Sequence, residues 1–256
     1  MITVMDIFID IETLRSPESH RLQILEDVKS NFKAPSTLTK GQAAIDLGLS
    51  DEKGIKFTSK DDMIARWERD LASVKSESVA NDIWEKTSFK PDVAPIACIV
   101  IGWYSDQGYQ NAIFETNDII NEAEMLEEFH TYITSLCTAN KAEIRKPNFV
   151  GHNIAKFDLP FIWKRSVINN VACCKGVKWI DARHGQHCFD TMIAWAGFGN
   201  RISADNLCKI LGIKGKTEGM DGSKVYDTWQ TEPQKVIEYC CDDVQLVKEI
   251  HLRLTK

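Results

Sequence analysis

The chain predicts an α/β protein. Short runs rich in β-branched and aromatic residues alternate with amphipathic helical segments, and a long polar stretch without strand character interrupts the series after the first run. At 256 residues it is long enough for one large core, and 43% hydrophobic with 27% charged residues excludes disorder as the default state. The expected architecture is a mixed β-sheet flanked by helices, with a largely helical insertion over residues 15–94.

The elements follow in order. Asp6 to Ile11 reads Asp-Ile-Phe-Ile-Asp-Ile, too short and too β-branched for a helix, and is expected as a buried strand. Ile96 to Tyr104 and Tyr109 to Phe114 are two further strands, joined through Ser105-Asp106-Gln107-Gly108 as a hairpin turn. Asn121 and Glu124 have capping-box spacing ahead of a helix whose apolar face carries Met125, Leu126, Phe129, Tyr132, Ile133, Leu136 and Cys137. Asn148 to Val150 is a short strand ending in Gly151-His152-Asn153, with a helix beginning near Asp158-Leu159-Pro160. Leu207 to Leu211 is a short helix stopped by Gly212, and a final helix starts at Thr231-Glu232-Pro233-Gln234, again with capping-box spacing. The interrupting stretch packs through Ala43, Ala44, Ile45, Leu47, Ile64, Trp67 and Leu71. No Gly/Ser/Pro-rich linker isolates it, so it is expected as an insertion on one domain spanning 1–256.

Several classes are excluded. No run approaches the roughly 18 apolar residues of a membrane span. The amino terminus has no basic leader pattern, and eight Cys in irregular positions, including the adjacent pairs 173/174 and 240/241, do not form a disulfide framework. The expectation is a cytoplasmic chain with reduced thiols.

Four carboxylates carry the chemical signal. Asp10 and Glu12 end the first strand, and period-two alternation projects both from one face. Like charges so placed repel unless a cation joins them, and Mg²⁺ or Mn²⁺ prefers such oxygen ligands; a strand end meeting solvent is the alternative. Asp158 precedes Leu-Pro and can equally be a helix cap. Asp243 is placed by helical phase. Stepping about 100° per residue from Val236, it falls near −20°, within the stripe of Cys240, Val244, Val247 and Ile250, whereas Asp242 falls near −120° on the wet side. A carboxylate turned towards an apolar stripe must be paired, hydrogen-bonded or metal-bound. Tyr239 lies one turn earlier and can share its site.

Taken together, Asp10-x-Glu12, Asn153 to Asp158 and Tyr239-x-x-x-Asp243 resemble the three motifs of the DEDD exonuclease superfamily in its tyrosine-containing (DEDDy) subgroup. More narrowly, Leu211 to Lys216 and Met220 to Val225 are similar to stand-alone 3′–5′ exonucleases related to the proofreading domain of family B DNA polymerases. The resemblance covers the chain apart from the insertion and implies a ribonuclease H-like fold. It implies phosphodiester hydrolysis with two divalent cations, Mg²⁺ or Mn²⁺, releasing nucleoside 5′-monophosphates. Asp10 would bridge the ions, Glu12 and Asp243 would complete one site, and Asp158 would hold the other. Tyr239 would orient the attacking water, since an ordinary tyrosine titrates near about 10 and is a poor base at neutral pH. The resemblance also implies Thr13 and Leu14 at the terminal nucleotide, with Asn153 and Phe157 along the strand's path.

Other signals are set aside. Gly212 to Thr217 looks like a phosphate loop, but Ile210 stands where that motif needs glycine, and a helix precedes it instead of a strand. Lys214 and Lys216 are candidates for nucleic-acid phosphates or plain solvated lysines. Cys173, Cys174, His184, His187 and Cys188 lack a Cys-x-x-Cys pair and are not read as a zinc site. His152 reads as an organiser of its motif and not as a base.

The leading expectation is an exonuclease on single-stranded or frayed DNA 3′ ends, with a separate polymerase or a replication or repair protein as a candidate partner and no membrane. An exoribonuclease like ribonuclease D, a silent nucleic-acid-binding module and a metal-independent glycosidase are the rivals. Net charge is −6, yet it divides into −11 over residues 1–140, +7 over 141–220 and −2 over 221–256. The basic excess thus falls where a phosphate-binding surface is needed, beside Asp158.

Overall fold

In a computed structural model, which describes residues 2–49, 52–116, 122–138, 144–215 and 220–256, the central strand is Ile2–Thr13 (β1). It pairs antiparallel with Ile96–Ser105 (β2), which turns through Gly108, at φ 100°, into Gly108–Glu115 (β3). On its other side β1 runs parallel to Ile144–Gly151 (β4), which is followed in turn by Cys188–Asp190 (β5). The sheet order is β3-β2-β1-β4-β5. This is the mixed α/β sheet expected, with β5 an addition; three residues are too few for periodicity to reveal a strand.

Alternation along β1 sends its side chains into two cores. Ile7, Ile9 and Ile11 face the helices Glu122–Thr138 (α5) and Asp158–Ile168 (α6), against Met125, Leu126, Phe129, Leu159, Phe161 and Ile162. Phe8 and Leu14 face the opposite way, towards Val225–Thr231 (α9) and Pro233–Leu254 (α10), against Val225, Trp229, Val236, Cys240, Val244 and Val247. A strand buried on both faces explains its nearly unbroken run of large apolar residues. Two shorter helices complete this unit, Thr191–Ala196 (α7) and Ala204–Leu211 (α8); the second packs Leu207 and Cys208 on Leu246 and Ile250 and stops at Gly212, φ 65°. No described helix is long and apolar enough to cross a membrane, and all eight cysteines are free thiols.

The chain divides into two compact units, Met1–Leu14 with Ser88–Lys256, and Arg15–Thr87. The inserted unit therefore ends before 94, since Ala94 is buried in the main core. It is helical, as expected: Glu18–Asn31 (α1), Lys40–Asp46 (α2), Glu52–Phe57 (α3) and Lys60–Glu85 (α4). Leu38, Ala43, Ala44, Met63 and Trp67 form its small core. Its two ends are tied to each other. Trp84 donates its indole N–H to the Ser16 carbonyl at 2.8 Å, and the Ser16 N–H donates to Thr87 Oγ1 at 2.9 Å. An insertion whose ends meet adds residues to its host with little extra loop-closure entropy.

One helix start differs from the sequence expectation, and another lies beyond the described residues. Asn121 lies outside the described residues, so the capping box with Glu124 is left there. Thr231 does not cap α10; it ends α9 and donates its hydroxyl to the Thr228 carbonyl at 3.4 Å, while Pro233 opens α10 as its first residue. Proline at that position has no N–H to satisfy, and its fixed φ suits the first helical residue.

Candidate active site

Asp10 and Glu12 project from the face of β1 that α10 covers, in register with Val100 and Cys98 of β2. Their parity is that of Phe8, so the same alternation that buries Phe8 under α10 aims both acids at that helix. From α10, the Cys240 thiol reaches the Asp10 carbonyl at 3.5 Å and Asp10 Oδ2 at 3.6 Å. Ligand atoms of Asp10, Glu12 and Cys240 all lie within 4.8 Å of one another, and among the described residues this is the group so arranged. Burial pushes the Cys240 thiol well above its ordinary value, with Cys98, Asp10 and Glu12 adding to the effect, so it sits there as a neutral donor.

Helical phase places the other half. Val236, Cys240, Val244, Val247 and Ile250 are buried, Asp243 is buried with them, and Asp242 and Glu238 are exposed. Asp10, Asn153, Tyr239 and Asp243 share one open cleft of about 1000 Å³. His152, Arg201 and residues 202–206 form its far wall.

Asp158 comes to the same place by another route. The N-cap of α6 is Phe157, without a side-chain cap bond, so the cap reading of Asp158 is not the one realised. Pairing between β1 and β4 ends at Phe8 and Val150, leaving that edge of β1 open beyond it, and the Asp158 carboxylate accepts the backbone N–H of Ile11 there. Burial pushes Asp158 up to about 7, Asp190 and Asp243 push the same way, and hydrogen bonds from its own N–H and that of Ile11 offset part of the rise. A buried carboxylate whose charge is opposed by neighbouring acids belongs to an array that a cation would relieve.

The motif around Asn153 depends on a residue that sequence reasoning missed. Asn153 adopts φ 65°, a left-handed conformation asparagine tolerates. The turn is held by Asp190, fully buried at the end of β5, whose carboxylate accepts the N–H groups of Asn153 (3.1 Å) and Ala155 (3.2 Å) and caps α7 through Met192 and Ile193. Phe189-Asp190-Thr191-Met192 is an N-cap pattern, so the signal existed, but only its cap role was readable. His152 does organise the motif: its ring nitrogens bond Thr191 Oγ1 at 2.9 Å and the Ile202 carbonyl at 2.8 Å.

The remaining sequence candidates divide. Phe157 is half-buried in a row of rings with Phe89 and Phe161. Thr13 donates its hydroxyl to the Ser88 carbonyl at 2.8 Å, and Leu14 is buried in the core beneath α10. Neither of these two side chains lines the cleft, because the bulge after Glu12 and the Leu14 N–H bond to Pro95 turn the strand end back into the fold. Lys214 is exposed in a separate recess with Asp242, Glu249 and Arg253, and Lys216 lies outside the described residues. The Cys173 to Cys188 group is not drawn together: His130, Asp190 and Arg183 engage Cys174, His184 and His187 in separate hydrogen bonds.

A five-stranded mixed sheet with acids gathered where its central strand meets α10 and the start of α6 defines a ribonuclease H-like nuclease domain. Residues 91–255 match the family described as predicted 3′–5′ exonucleases related to the exonuclease domain of PolB, and the chain belongs to that family. No curated protein matches the chain. The family match spans Asp158, Tyr239 and Asp243 and begins after Asp10 and Glu12; Asp10 lines the cleft with Tyr239 and Asp243, and Glu12 offers a ligand atom within 4.8 Å of that of Asp10.

Proposed function

We propose that the protein is a divalent-metal-dependent 3′–5′ exonuclease acting on single-stranded or frayed DNA ends, with Asp10, Glu12, Asp158 and Asp243 as metal ligands and Tyr239 beside the attacking water. The observation that carries this reading is the gathering of the four acids from three distant segments onto one end of β1. The donor set fits Mg²⁺ or Mn²⁺: it is rich in carboxylate oxygen, and Asp158 is held in a site that disfavours its charge without a cation. When bound, such ions lower the pKa of water and stabilise the leaving 3′ oxygen.

The chain's own residues do the rest. Asp10 and Glu12 are held by the pairing of β1 with Val100 and Cys98 of β2, so little reorganisation accompanies binding. Asp158 is fixed by the Ile11 N–H and the packed start of α6. Tyr239 presents a hydroxyl to the cleft one helical turn before Asp243, where it can accept from or donate to a water. Asn153 and Phe157 flank the approach of the strand, while Thr13 and Leu14 act by fixing the end of β1. Lys214 and Lys216, on the segment after α8, would meet phosphates farther out. A separate polymerase or repair protein as partner rests on the family relation alone.

The test is degradation of 5′-labelled single-stranded DNA, with a matched RNA beside it, in Mn²⁺, Mg²⁺ and EDTA. A ladder shortening from the 3′ end of the DNA with either metal and none in EDTA is expected. Preference for RNA would transfer the same chemistry to a ribonuclease, and a folded protein that shortens neither strand overturns the proposal.

A further inference from the structure

Outside the cleft, the connection from α7 to α8 carries a feature that packing does not explain. Gly197 and Gly199 adopt φ 80° and 87°, conformations open to glycine, and between them Phe198 is held in solvent with 83% of its surface exposed. A phenyl ring displayed in solvent between two glycines is a poor contribution to folding. One face of the ring meets a cation: Lys156 Nζ lies 5.1 Å from its centre. The tip is anchored at both sides, by the Asn200 amide on the Ala196 carbonyl at 2.9 Å and by the His152 ring on the Ile202 carbonyl at 2.8 Å.

This tip continues the candidate active site. Arg201, three residues on, lines the cleft, and among the described lining residues it is the one Lys or Arg, facing Asp10, Asp205, Asp221 and Asp243. Asn153, which also lines the cleft, lies three residues before Lys156. An exposed aromatic ring with a cation on one face, three residues along the chain from the arginine of an acidic cleft, has the composition of a single-strand stacking platform, because every base offers a π-face and every nucleotide a phosphate.

We propose that Phe198, Lys156 and Arg201 form the docking platform for the nucleic-acid strand as it leaves the cleft: the Phe198 ring stacks on a base upstream of the cut, Lys156 and Arg201 take flanking phosphates, and His152 positions the wall that bears Arg201. This rests on the exonuclease reading for the identity of the occupant.

Two measurements on the full chain test it, both with a 5′-fluorescein twelve-nucleotide oligothymidylate. Anisotropy in EDTA reads binding, and shortening in Mn²⁺ reads KM and kcat. Phe198→Ala, at a largely exposed position, should raise both Kd and KM roughly 5-fold or more while kcat stays within about twofold. Phe198→Trp should restore binding and Phe198→Leu should not. Arg201→Ala should reduce the slope of log K against log salt by about 0.7. A Phe198→Ala chain that binds and degrades like the parent overturns the platform and leaves the exonuclease standing, as does equal rescue by Leu and Trp. A parent that binds the oligonucleotide in a Phe198-dependent manner but shortens it with no metal overturns the exonuclease and leaves the platform. A parent that does neither overturns both.

Discussion

Asp190 accepts the backbone N–H of Asn153 at 3.1 Å, so the turn that presents Asn153 to the cleft is shaped by a buried carboxylate 37 residues away that does not itself line the cleft. The same carboxylate caps α7 and lies close enough to Asp158 to raise its pKa. One side chain thus sets the backbone of the second acidic motif and the charge balance of the first helix turn beyond it.

Removing that carboxylate should be costly. Asp190→Ala leaves the N–H groups of Asn153, Ala155, Met192 and Ile193 without their acceptor, and a lost cap plus unsatisfied buried donors amounts to about 2–4 kcal/mol. Relief of repulsion on Asp158 acts in the opposite direction and is smaller. Urea unfolding measures the difference; a loss under about 0.5 kcal/mol would show that water replaces the carboxylate.

The phase of α10 separates two adjacent acids. Asp243→Ala should abolish calorimetric Mn²⁺ binding at its site and metal-dependent cleavage, whereas Asp242→Ala, on the exposed side, should leave cleavage within about twofold of the parent. The reverse ranking would show that the wrong face of the helix has been assigned to the metal.

Acid should destabilise the fold through His130. Its Nδ1 accepts the Cys174 N–H at 3.3 Å and its Nε2 bonds Ser166 Oγ at 2.9 Å, an arrangement that suits the neutral ring. Burial pushes its pKa down to about 4. Because the folded value lies below that of the unfolded chain, near 6.5, the stabilisation is complete above about pH 6.5 and is lost as pH falls towards about 4, up to roughly 3 kcal/mol. Unfolding free energies of the parent and His130→Gln across that interval check this; equal pH slopes would remove His130 as the cause.

The buried pair Glu122–Arg165 holds α5, α6 and the start of β2 together. Arg165 Nε donates to Glu122 Oε1 at 3.0 Å, and the Ile96 N–H donates to the same oxygen at 2.8 Å. Glu122→Ala strands a buried guanidinium and should cost about 3–5 kcal/mol in thermal or urea unfolding. Glu122→Ala combined with Arg165→Met should recover much of it, and a double variant no better than the single one would place the cost on the Ile96 N–H instead.

Much of this was readable from local pattern. The β-branched runs, the Gly108 and Gly212 stops and the polar insertion are one-dimensional signals, and each corresponds to an element of the structure. The same holds for the parity of Asp10 with Glu12 and the phase of Asp243, since period 2 and period 3.6 depend only on backbone geometry. β5, α7 and α9 were not legible, being too short to show a period. Leu14 and Thr13 could be placed by family resemblance next to a substrate, yet their side chains are used by the fold.

What the sequence by itself determined is therefore which carboxylates share a face within each element, because regular backbone geometry carries side chains with it. Only the tertiary structure decided that those faces converge. Parallel pairing of β4 with β1, its early end at Val150, and α10 lying across β1 join residues more than two hundred positions apart. It likewise decided that Asp190 is a brace for Asn153 and that Phe198 stands in solvent beside a cation, since long-range contacts and exposure are properties of packing and leave no periodic trace along the chain.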